Sequence, residues 1–596
     1  MARDVHEALR TVWGHAGFRP MQEAVVRSVL AGRDTLALLP TGGGKSLCFQ
    51  VPAVAMGKLC IVVSPLIALM KDQVDRLSKL GVRARAVTSG MSSVEVDNAL
   101  ESALNGKLDL LYVSPERLGT PLFKERLPRM PLGLLAVDEA HCISQWGHDF
   151  RPAYRLIGGI RQVHPSVPVV ALTASATPEV ARDIMEQLAF REQHVLQGPF
   201  IRPELVFWVS RAEDKLGALL KIARQCAGAG IVYLRNRRGT VEAAHWLQQH
   251  GVQAAAYHAG LDMKERDRVQ AAWTSGELHF VCATNAFGMG IDRGDVRAVV
   301  HLEPPPDLES YYQEAGRAGR DGHTAHAILL ARPEEEGAFR QKATASLPEL
   351  AEVRRVYQAF ADRHGIAMGA GEFEGYELDL RDLVRRTGLP AAKVNGALKA
   401  LELDGALALS DGARNPARAM VRASPDTVYR TRVEDPVRGP LLEALLRLHG
   451  GLFEEPCVVD EEVLAMHLAI SVATVRKRLS DLQRDQVLFY RPRNDLPMAT
   501  LLRPRADAAR LHLDPASLQM RKERTAKRVE AMAHYAYRSE QCRERELLAW
   551  FGQNGMADCG RCDTCRANAP STGNVAEPVP RWVLDETARL PMASAK

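Results

Sequence analysis

Long apolar stretches are missing from this chain of 596 residues. The most apolar run, residues 59–70, is interrupted by Ser64 and Pro65 and is followed by Lys71. It is shorter than the roughly 20 residues that a membrane-spanning helix needs. The first ten residues also have no apolar stretch of the kind found in secretory signals. We therefore expect a cytoplasmic protein without a membrane partner.

Cysteine is scarce, and neither sign of charge dominates. Ten Cys are too few for a disulfide scaffold, and four of them lie between Cys542 and Cys565, which indicates a metal site in a reducing compartment. Lys and Arg number 77 against 72 Asp and Glu, so any basic surface for a nucleic acid must be local. Apolar residues at 46% and charged residues at 25% exclude a mainly disordered chain, a collagen and a coiled-coil rod.

Between residues 30 and 330, short apolar runs alternate with amphipathic stretches. This alternation is typical of buried parallel strands joined by crossover helices. A break near Pro199–Pro203 divides the pattern into two α/β domains. The predicted strands are Thr35–Leu39, Leu59–Ser64, Leu108–Ser114, Leu132–Val137, Val167–Leu172, Gly230–Leu234, Ala254–Tyr257, His279–Ala283 and Ala298–His301.

Beyond residue 345 the pattern changes to two helices followed by a strand, and it occurs twice, over residues 378–409 and 463–497. Helix, turn, helix, strand and loop in this order are typical of a winged helix, although small helical domains without DNA contacts share the pattern. Residues 518–551 predict a helical hairpin rich in Arg and Lys. The proline-containing stretch after Ala567 predicts a mobile tail.

A glycine-rich loop follows the first predicted strand and leads into a helix. Its residues are Thr41, Gly42, Gly43, Gly44, Lys45 and Ser46. Small residues let backbone N–H groups surround phosphates at a helix N-terminus, Lys45 can reach the β- and γ-phosphates, and Ser46 can bind Mg²⁺. Leu39 stands where the strict phosphate-loop pattern has Gly, so the loop alone also fits an ordinary glycine-rich turn.

Two adjacent carboxylates end the strand Leu132–Val137. A carboxylate at such a strand end can hold Mg²⁺, and a second one can orient or deprotonate an attacking water. We assign Asp138 to the metal and Glu139 to the water.

Taken together, these motifs resemble those of superfamily 2 helicases, and specifically the RecQ family of DNA helicases. The resemblance covers residues 14–330. It is carried by Phe18–Gln22, Leu39–Ser46, Ser64–Gln73, Tyr112–Leu118, Asp138–Pro152, Leu172–Thr177, Ala283–Asp292 and Gln313–Gly322. Leu39 fits this family, which also lacks the leading Gly.

The resemblance implies roles for side chains on both α/β domains. The amide of Gln22 would pair with the adenine edge, with His15 or Arg19 stacked on its face. Arg317 and Arg320 lie three residues apart and could meet the γ-phosphate from the second domain as arginine fingers do, with Arg320 favoured. Two surface arginines without this role are the alternative.

The segment after the paired carboxylates is rich in aromatic and basic residues. Trp146, His148, Phe150 and Arg151 lie in a loop joined directly to Glu139. Loop aromatics beside an ATPase carboxylate suit base stacking and the coupling of DNA binding to hydrolysis. The alternative is that one ring, Phe150, is simply buried.

Four cysteines near the C-terminus have the spacing of a metal site. Cys542 precedes Cys559, Cys562 and Cys565, and four thiolates can close a tetrahedral Zn²⁺ site. The cluster resembles the zinc-binding module of RecQ helicases. An iron–sulfur cluster is less favoured because Arg566 follows the last Cys, and free thiols are the third possibility.

The resulting fold prediction is α/β: two RecA-like parallel-sheet lobes, two winged-helix-like units and a helical zinc-binding module. The predicted domains are 1–203, 204–344, 345–430, 431–515 and 516–567, with a tail at 568–596. The order departs from the family, in which the zinc module directly follows the second lobe and a single winged helix comes after it.

The resemblance implies an ATP-dependent DNA helicase that uses ATP, Mg²⁺ and Zn²⁺. It would move 3′ to 5′ on single strands and unwind tailed or branched duplexes in recombination and repair, associated with the nucleoid in a bacterium. The alternatives are a DNA-stimulated translocase that remodels protein–DNA complexes without strand separation, and a DNA-binding or annealing protein whose ATPase only switches affinity. For strand separation we predict a wedge at the second wing, at Phe489, Tyr490 and Arg491–Asn494.

Overall fold

The computed structural model describes residues 4–88, 91, 93–147, 150–288, 293–372, 374–410, 417–453, 456–492, 497–511 and 513–568. The chain forms two compact units. Residues 1–345 and 519–596 belong to the first, and residues 346–518 to the second. No helix of the described ranges is both long and apolar enough to cross a membrane.

The N-terminal lobe of the first unit is a parallel sheet with the strand order β3-β4-β2-β5-β6-β1-β7. Its strands are β1 (Thr35–Leu38), β2 (Leu59–Val63), β3 (Ala84–Val87), β4 (Leu110–Val113), β5 (Leu132–Val137), β6 (Val169–Thr173) and β7 (Val195–Gln197). Its helices are α1 (Val5–Trp13), α2 (Gln22–Leu30), α3 (Leu47–Met56), α4 (Ile67–Lys79), α5 (Ser93–Leu104), α6 (Pro121–Arg126), α7 (Ile157–Val163) and α8 (Pro178–Gln187).

The second lobe repeats this architecture, with the parallel order β10-β11-β9-β12-β13-β8. Its strands are β8 (Leu205–Ser210), β9 (Ala229–Tyr233), β10 (Ala254–Tyr257), β11 (Phe280–Ala283), β12 (Val296–His301) and β13 (Ala325–Leu330). Its helices are α9 (Lys215–Gln225), α10 (Arg237–Gln249), α11 (Met263–Ser275), α12 (Leu308–Ala315) and α13 (Glu336–Thr344). The central strands are mostly apolar and almost fully buried because helices cover both faces of the sheet.

A helical module completes the first unit. It contains residues 519–533 of α21 (Pro515–Ala533), a π-helical turn (His534–Arg538), α22 (Arg543–Trp550) and α23 (Asp563–Ala567). Its apolar side chains share one continuous core with the two lobes. The ring of Tyr535 packs 5.3 Å from that of Tyr311 in α12, and the ring of Phe551 packs 5.0 Å from that of Tyr312.

The second unit contains two winged-helix-like folds. Its helices are α14 (Leu350–Arg363), α15 (Leu380–Thr387), α16 (Ala391–Leu403), α17 (Pro425–Glu434), α18 (Gly439–Leu448), α19 (Glu461–His467) and α20 (Val472–Arg484). Its strands are β14 (Gly375–Glu377), β15 (Leu407–Ser410), β16 (Arg418–Val421), β17 (Cys457–Val458), β18 (Leu488–Arg491) and β19 (Met498–Leu501). The α/β class, the two parallel-sheet lobes and the winged helices are confirmed.

The two winged-helix folds are nested rather than consecutive. Strand β19 pairs antiparallel with β14 and β15, whereas β16 pairs with β17 and β18. The inner fold, from β16 to β18, is therefore inserted between two strands of the outer fold. The predicted boundary between residues 430 and 431 is wrong, because β16 precedes it and belongs to the inner sheet.

Candidate active site and cysteine cluster

The loop between β1 and α3 lines a cavity of about 400 Å³ between the two lobes. Gly42 and Gly44 have φ angles of +81° and +71°. A residue with a side chain would be strained in this backbone conformation. Thr41, Lys45 and Ser46 also line the cavity. A helix N-terminus with an adjacent Lys is suited to bind phosphate groups.

The residues predicted to read the base lie at the same cavity, and two of them contact the phosphate-binding loop. His15, Arg19 and Gln22 all line the cavity. The amide nitrogen of Gln22 donates to the carbonyl oxygens of Gly44 at 2.9 Å and Gly43 at 3.1 Å, and its amide oxygen accepts from the Arg19 N–H at 2.8 Å. Gln22 thus ties α2 to the loop, and its pairing with adenine stays a prediction.

Asp138 and Glu139 end β5 opposite the loop. Burial and the Glu139 carboxylate together raise the pKa of Asp138, and the Lys45 ammonium partly opposes this shift. Asp138 accepts a hydrogen bond of 3.0 Å from the Glu139 N–H. Carboxylate and hydroxyl oxygens are ligands that Mg²⁺ prefers, so Asp138 and Ser46 are chemically suited to that ion.

Glu139 has two features typical of a functional residue. Its φ angle of +46° places a non-glycine residue in the left-handed region. Its buried Oε2 atom has no hydrogen-bond partner among the described residues. This atom lies 3.4 Å from Nδ1 of His141, which is also 2.9 Å from the hydroxyl of Thr173 at the end of β6.

The two candidate fingers occupy different positions in the second lobe. Arg320 packs over the phosphate-binding loop, since a Cβ atom on Gly42 would lie 3.4 Å from its Cγ atom. Arg317 is buried and donates to the carbonyl oxygen of Gly288. Both line the cavity, but the geometry favours Arg320 as the finger.

The aromatic loop contacts the helical module. Trp146 is exposed, and the guanidinium of Arg524 in α21 stacks on its ring. Arg528 donates to the carbonyl oxygens of Trp146 and Gly147 and pairs with Glu309 of the second lobe at 3.1 Å. The sequence analysis predicted that this helix is basic, but it did not predict that Arg524 and Arg528 contact the aromatic loop.

The other predicted loop residues are less suited to contact DNA. Phe150 is buried beneath Arg155, so its assignment to base stacking is wrong and the alternative holds. The guanidinium of Arg151 donates to the carbonyl oxygen of Pro65 at 3.1 Å. His148 lies outside the described residues. Base stacking in this loop is therefore expected from Trp146.

In the second unit, the predicted wedge is not formed by Tyr490. Its ring is 2% exposed and its hydroxyl donates to Glu461, because strand alternation turns it into the core. Phe489 lies beneath the guanidinium of Arg422. Arg493 and Asn494 lie outside the described residues.

The cysteines converge as the spacing predicts. The Sγ atoms of Cys542, Cys559, Cys562 and Cys565 all lie within 4.8 Å of one another. The N–H groups of Cys559, Cys562 and Cys565 each donate to the sulfur of another member, at 3.2, 3.4 and 3.5 Å. Four sulfur ligands fit a closed tetrahedral metal site with no position for catalysis.

Known families match successive parts of the chain. The DEAD/DEAH box helicase family matches residues 19–184, and the helicase conserved C-terminal domain matches residues 214–322. The RecQ zinc-binding family matches residues 506–566, and a RecQ helicase winged-helix domain of Bacteroidota matches residues 419–492. The DprA winged helix domain matches residues 378–413.

Curated relatives lead to the same family. A probable ATP-dependent DNA helicase RecS of Bacillus subtilis is 38% identical over 60% of this chain and 74% of its own length. The chain belongs to the RecQ family. The ATP-dependent DNA helicases RecQ of Pasteurella multocida and Haemophilus influenzae are 42% and 41% identical over 55% and 57% of this chain. The match spans about half of these two RecQ relatives, 52% and 55% of their lengths.

Among solved structures, the DUF1998 helicase MrfA bound to DNA aligns with a TM-score of 0.47. The identity is 18%, over 55% of this chain and 50% of that one.

The RecQ zinc-binding match decides between zinc, an iron–sulfur cluster and free thiols in favour of zinc. Arg543 and Asp563 form a buried ion pair of 2.9 Å beside the cluster. The N–H of Cys565 and the hydroxyl of Thr564 both contact the sulfur of Cys562. These contacts lie within the module and hold the ligands in place.

We expect Cys559→Ser to lower bound zinc below one ion per chain and to destabilise the module, because site closure contributes directly to folding. Metal analysis and limited proteolysis would measure both effects. Cys457→Ser is the matched control, since Cys457 lies outside the cluster and its thiol donates to the Gly450 carbonyl oxygen. Full zinc content in Cys559→Ser would contradict the ligand set.

Proposed function

We propose that the chain is a RecQ-type ATP-dependent DNA helicase that translocates 3′ to 5′ on single-stranded DNA and unwinds duplexes. The observation that carries the proposal is one cavity lined by the phosphate-binding loop, by Glu139 and by Arg320 of the other lobe. ATP bound there would contact both lobes, so hydrolysis could change their relative position.

The residues of the cavity divide the chemistry of phosphoryl transfer. Lys45 and the loop N–H groups bind the phosphates, while Ser46 and Asp138 would hold Mg²⁺. When bound, Mg²⁺ supplies positive charge to the phosphate oxygens. Glu139 orients the attacking water and accepts its proton, and Arg320 stabilises charge on the γ-phosphate in the transition state.

The aromatic loop offers a path from DNA to Glu139. A Cβ atom on Gly147 would lie 2.4 Å from the carbonyl oxygen of His141, so the loop packs closely on the residue beside Glu139. A base stacked on Trp146 would displace Arg524 and shift this packing. DNA binding would thereby change the position of the catalytic carboxylate.

Trp146→Ala should therefore lower DNA-stimulated ATPase about tenfold, because base stacking contributes about 1–3 kcal/mol. The DNA-free rate should stay near that of the wild type. Titration of ATPase with single-stranded DNA measures both rates. In the control Phe150→Leu, which alters a buried ring of the same loop, we expect a lower melting temperature with an unchanged stimulation ratio. Equal losses in both rates for Trp146→Ala would identify Trp146 as a structural residue.

The proposed partners are single-stranded DNA and tailed or branched duplexes, and the proposed processes are recombination and repair. The bacterial RecQ relatives are named ATP-dependent DNA helicases, which supports action on DNA, and the proposed location is the cytoplasm, at the nucleoid. The family match and the basic helix α21 beside Trp146 support a DNA partner.

A second candidate is a DNA-stimulated translocase that remodels protein–DNA complexes without strand separation. The observation that favours it is the buried Tyr490, which removes the predicted aromatic wedge from the inner wing. The motor chemistry would be the same in both cases.

Strand displacement on 3′-tailed and 5′-tailed duplexes tests the proposal, and release of streptavidin from biotinylated single strands is measured alongside. We expect ATP-dependent unwinding of the 3′-tailed duplex only. Lys45→Ala is the control for ATP dependence. Streptavidin release without unwinding would favour the translocase, and activity on 5′ tails alone would overturn the polarity.

A further inference from the structure

The linker between the lobes carries one buried arginine that contacts both of them. Residues 198–204 join β7 to β8, and the side chain of Arg202 is 7% exposed. Its guanidinium donates to the carbonyl oxygen of Thr41 in the phosphate-binding loop at 2.9 Å. It also donates to the carbonyl oxygens of Gly316 at 3.3 Å and Ala318 at 2.9 Å, in the segment that carries Arg320.

At the same place the phosphate-binding loop lies against the segment that carries Arg320. A Cβ atom on Gly316 would lie 3.1 Å from the Cβ atom of Thr41, so the two backbone segments pack tightly at this point. The carbonyl groups that meet here belong to different lobes and cannot bond to one another. A planar guanidinium with five N–H donors can satisfy acceptors on both sides at once.

The backbone that presents Arg202 is itself fixed by the zinc module. The side chain of Gln553 donates to the carbonyl oxygen of Gly198 at 3.0 Å and accepts from the Phe200 N–H at 3.2 Å. Arg561, which lies between two zinc ligands, donates to the carbonyl oxygen of Arg202 at 3.0 Å. Arg202 therefore projects from a linker that is held at both ends.

We propose that Arg202 is a positioning residue for ATP hydrolysis. It holds the phosphate-binding loop in a fixed position relative to the segment that carries Arg320. The proposal rests on the proposed function, because it assumes that Arg320 acts on ATP bound at this loop. Arg202 acts through these backbone carbonyl groups and is not one of the residues that line the cavity.

The test compares Arg202→Gln, Arg320→Ala and the double variant in the full-length protein. Arg202→Gln should lower the kcat of DNA-stimulated ATPase about 10²-fold, the scale of a misplacement of about 1 Å. The Kd for a non-hydrolysable ATP analogue should not change measurably, since Lys45 and the loop are retained. In the Arg320→Ala background, Arg202→Gln should cause little further loss, because both changes remove the same contribution.

Arg161→Gln is the matched control. Arg161 is also 7% exposed and donates to Asp34, but within the first lobe only. It should lower the melting temperature without a comparable loss of kcat. Should Arg202→Gln fail to fold, Arg202→Lys keeps the charge but loses the planar set of donors, and the same loss of kcat is expected.

Three outcomes would overturn the role of Arg202. The first is an unchanged kcat in Arg202→Gln, and the second is a loss of kcat in the double variant equal to the product of the two single losses. The third is a loss of affinity for the ATP analogue in Arg202→Gln that matches its loss of kcat. Failure of the proposed function is tested separately in the wild-type protein. In that case its ATPase rate would not increase when DNA is added. In that case the effect of Arg202→Gln is read from the DNA-free rate. A wild-type protein without ATPase would overturn both.

Discussion

Replacing Arg320 with Ala should slow DNA-stimulated ATP hydrolysis about 10³-fold, the usual effect of removing an arginine finger. Arg320 lies over Gly42 from the opposite lobe, and it would meet charge that develops on the γ-phosphate only in the transition state. Nucleotide binding depends mainly on the first lobe and should be nearly unchanged. Steady-state kcat with saturating single-stranded DNA, together with the Kd of a fluorescent ATP analogue, measures the two effects.

Arg317→Ala is the informative comparison, since the two arginines are three residues apart. Arg317 donates to the carbonyl oxygen of Gly288 and is buried, so its loss should lower the melting temperature of the protein. We expect a smaller loss of kcat than for Arg320→Ala. Near-normal turnover of Arg320→Ala in the presence of DNA would show that the finger has been assigned to the wrong residue.

All nine strands predicted from apolar runs are present, because central parallel strands are buried on both faces and their sequences are continuous apolar runs. Among the described residues of the two lobes, the strands that escaped prediction are β3, β7, β8 and β13. Strand β3 is an edge strand with an exposed Arg85, and β7 is a three-residue edge strand. Strand β13 contains His326, whose buried ring interrupts the apolar run.

The nesting of the winged helices could not be predicted from local pattern. Each helix, turn and strand of the two copies is recognisable, and α15, α16, α19 and α20 lie where the periodicity places them. The pairing of β15 with β19 joins residues on either side of the inserted fold. Register between such distant strands depends on tertiary packing, which no window of sequence contains.

The candidate site shows the same division between local and distant information. The phosphate-binding loop, the paired carboxylates and three of the cysteines are short motifs, so their roles could be proposed from spacing. Arg202 and Arg528 could not, because their acceptors in the phosphate-binding loop and the aromatic loop are distant in sequence. The burial of Arg202 and its contacts with both lobes can be recognised only from the folded structure.

Glu139→Gln should lower ATP turnover about 10²–10⁴-fold, the range expected for loss of a general base. The amide keeps the shape of the side chain but cannot accept a proton from water at neutral pH. Nucleotide binding should persist, because Lys45 and Asp138 are unchanged. The variant should not be less stable, since the buried Oε2 atom of Glu139 has no hydrogen-bond partner among the described residues to lose.

The control is the same substitution at a buried carboxylate that is fully partnered. Glu461 in the inner winged helix pairs with Arg476 at 2.6 Å and accepts from the Tyr490 hydroxyl, so Glu461→Gln should lower the melting temperature and leave the ATPase rate unchanged. Glu139→Gln should show the opposite combination, with a melting temperature equal to or above that of the wild type. Such a combination is typical of a residue whose strained backbone and buried oxygen without a hydrogen bond are kept for function. A destabilised Glu139→Gln variant with normal turnover per folded molecule would instead make Glu139 a structural residue and leave the attacking water without its base.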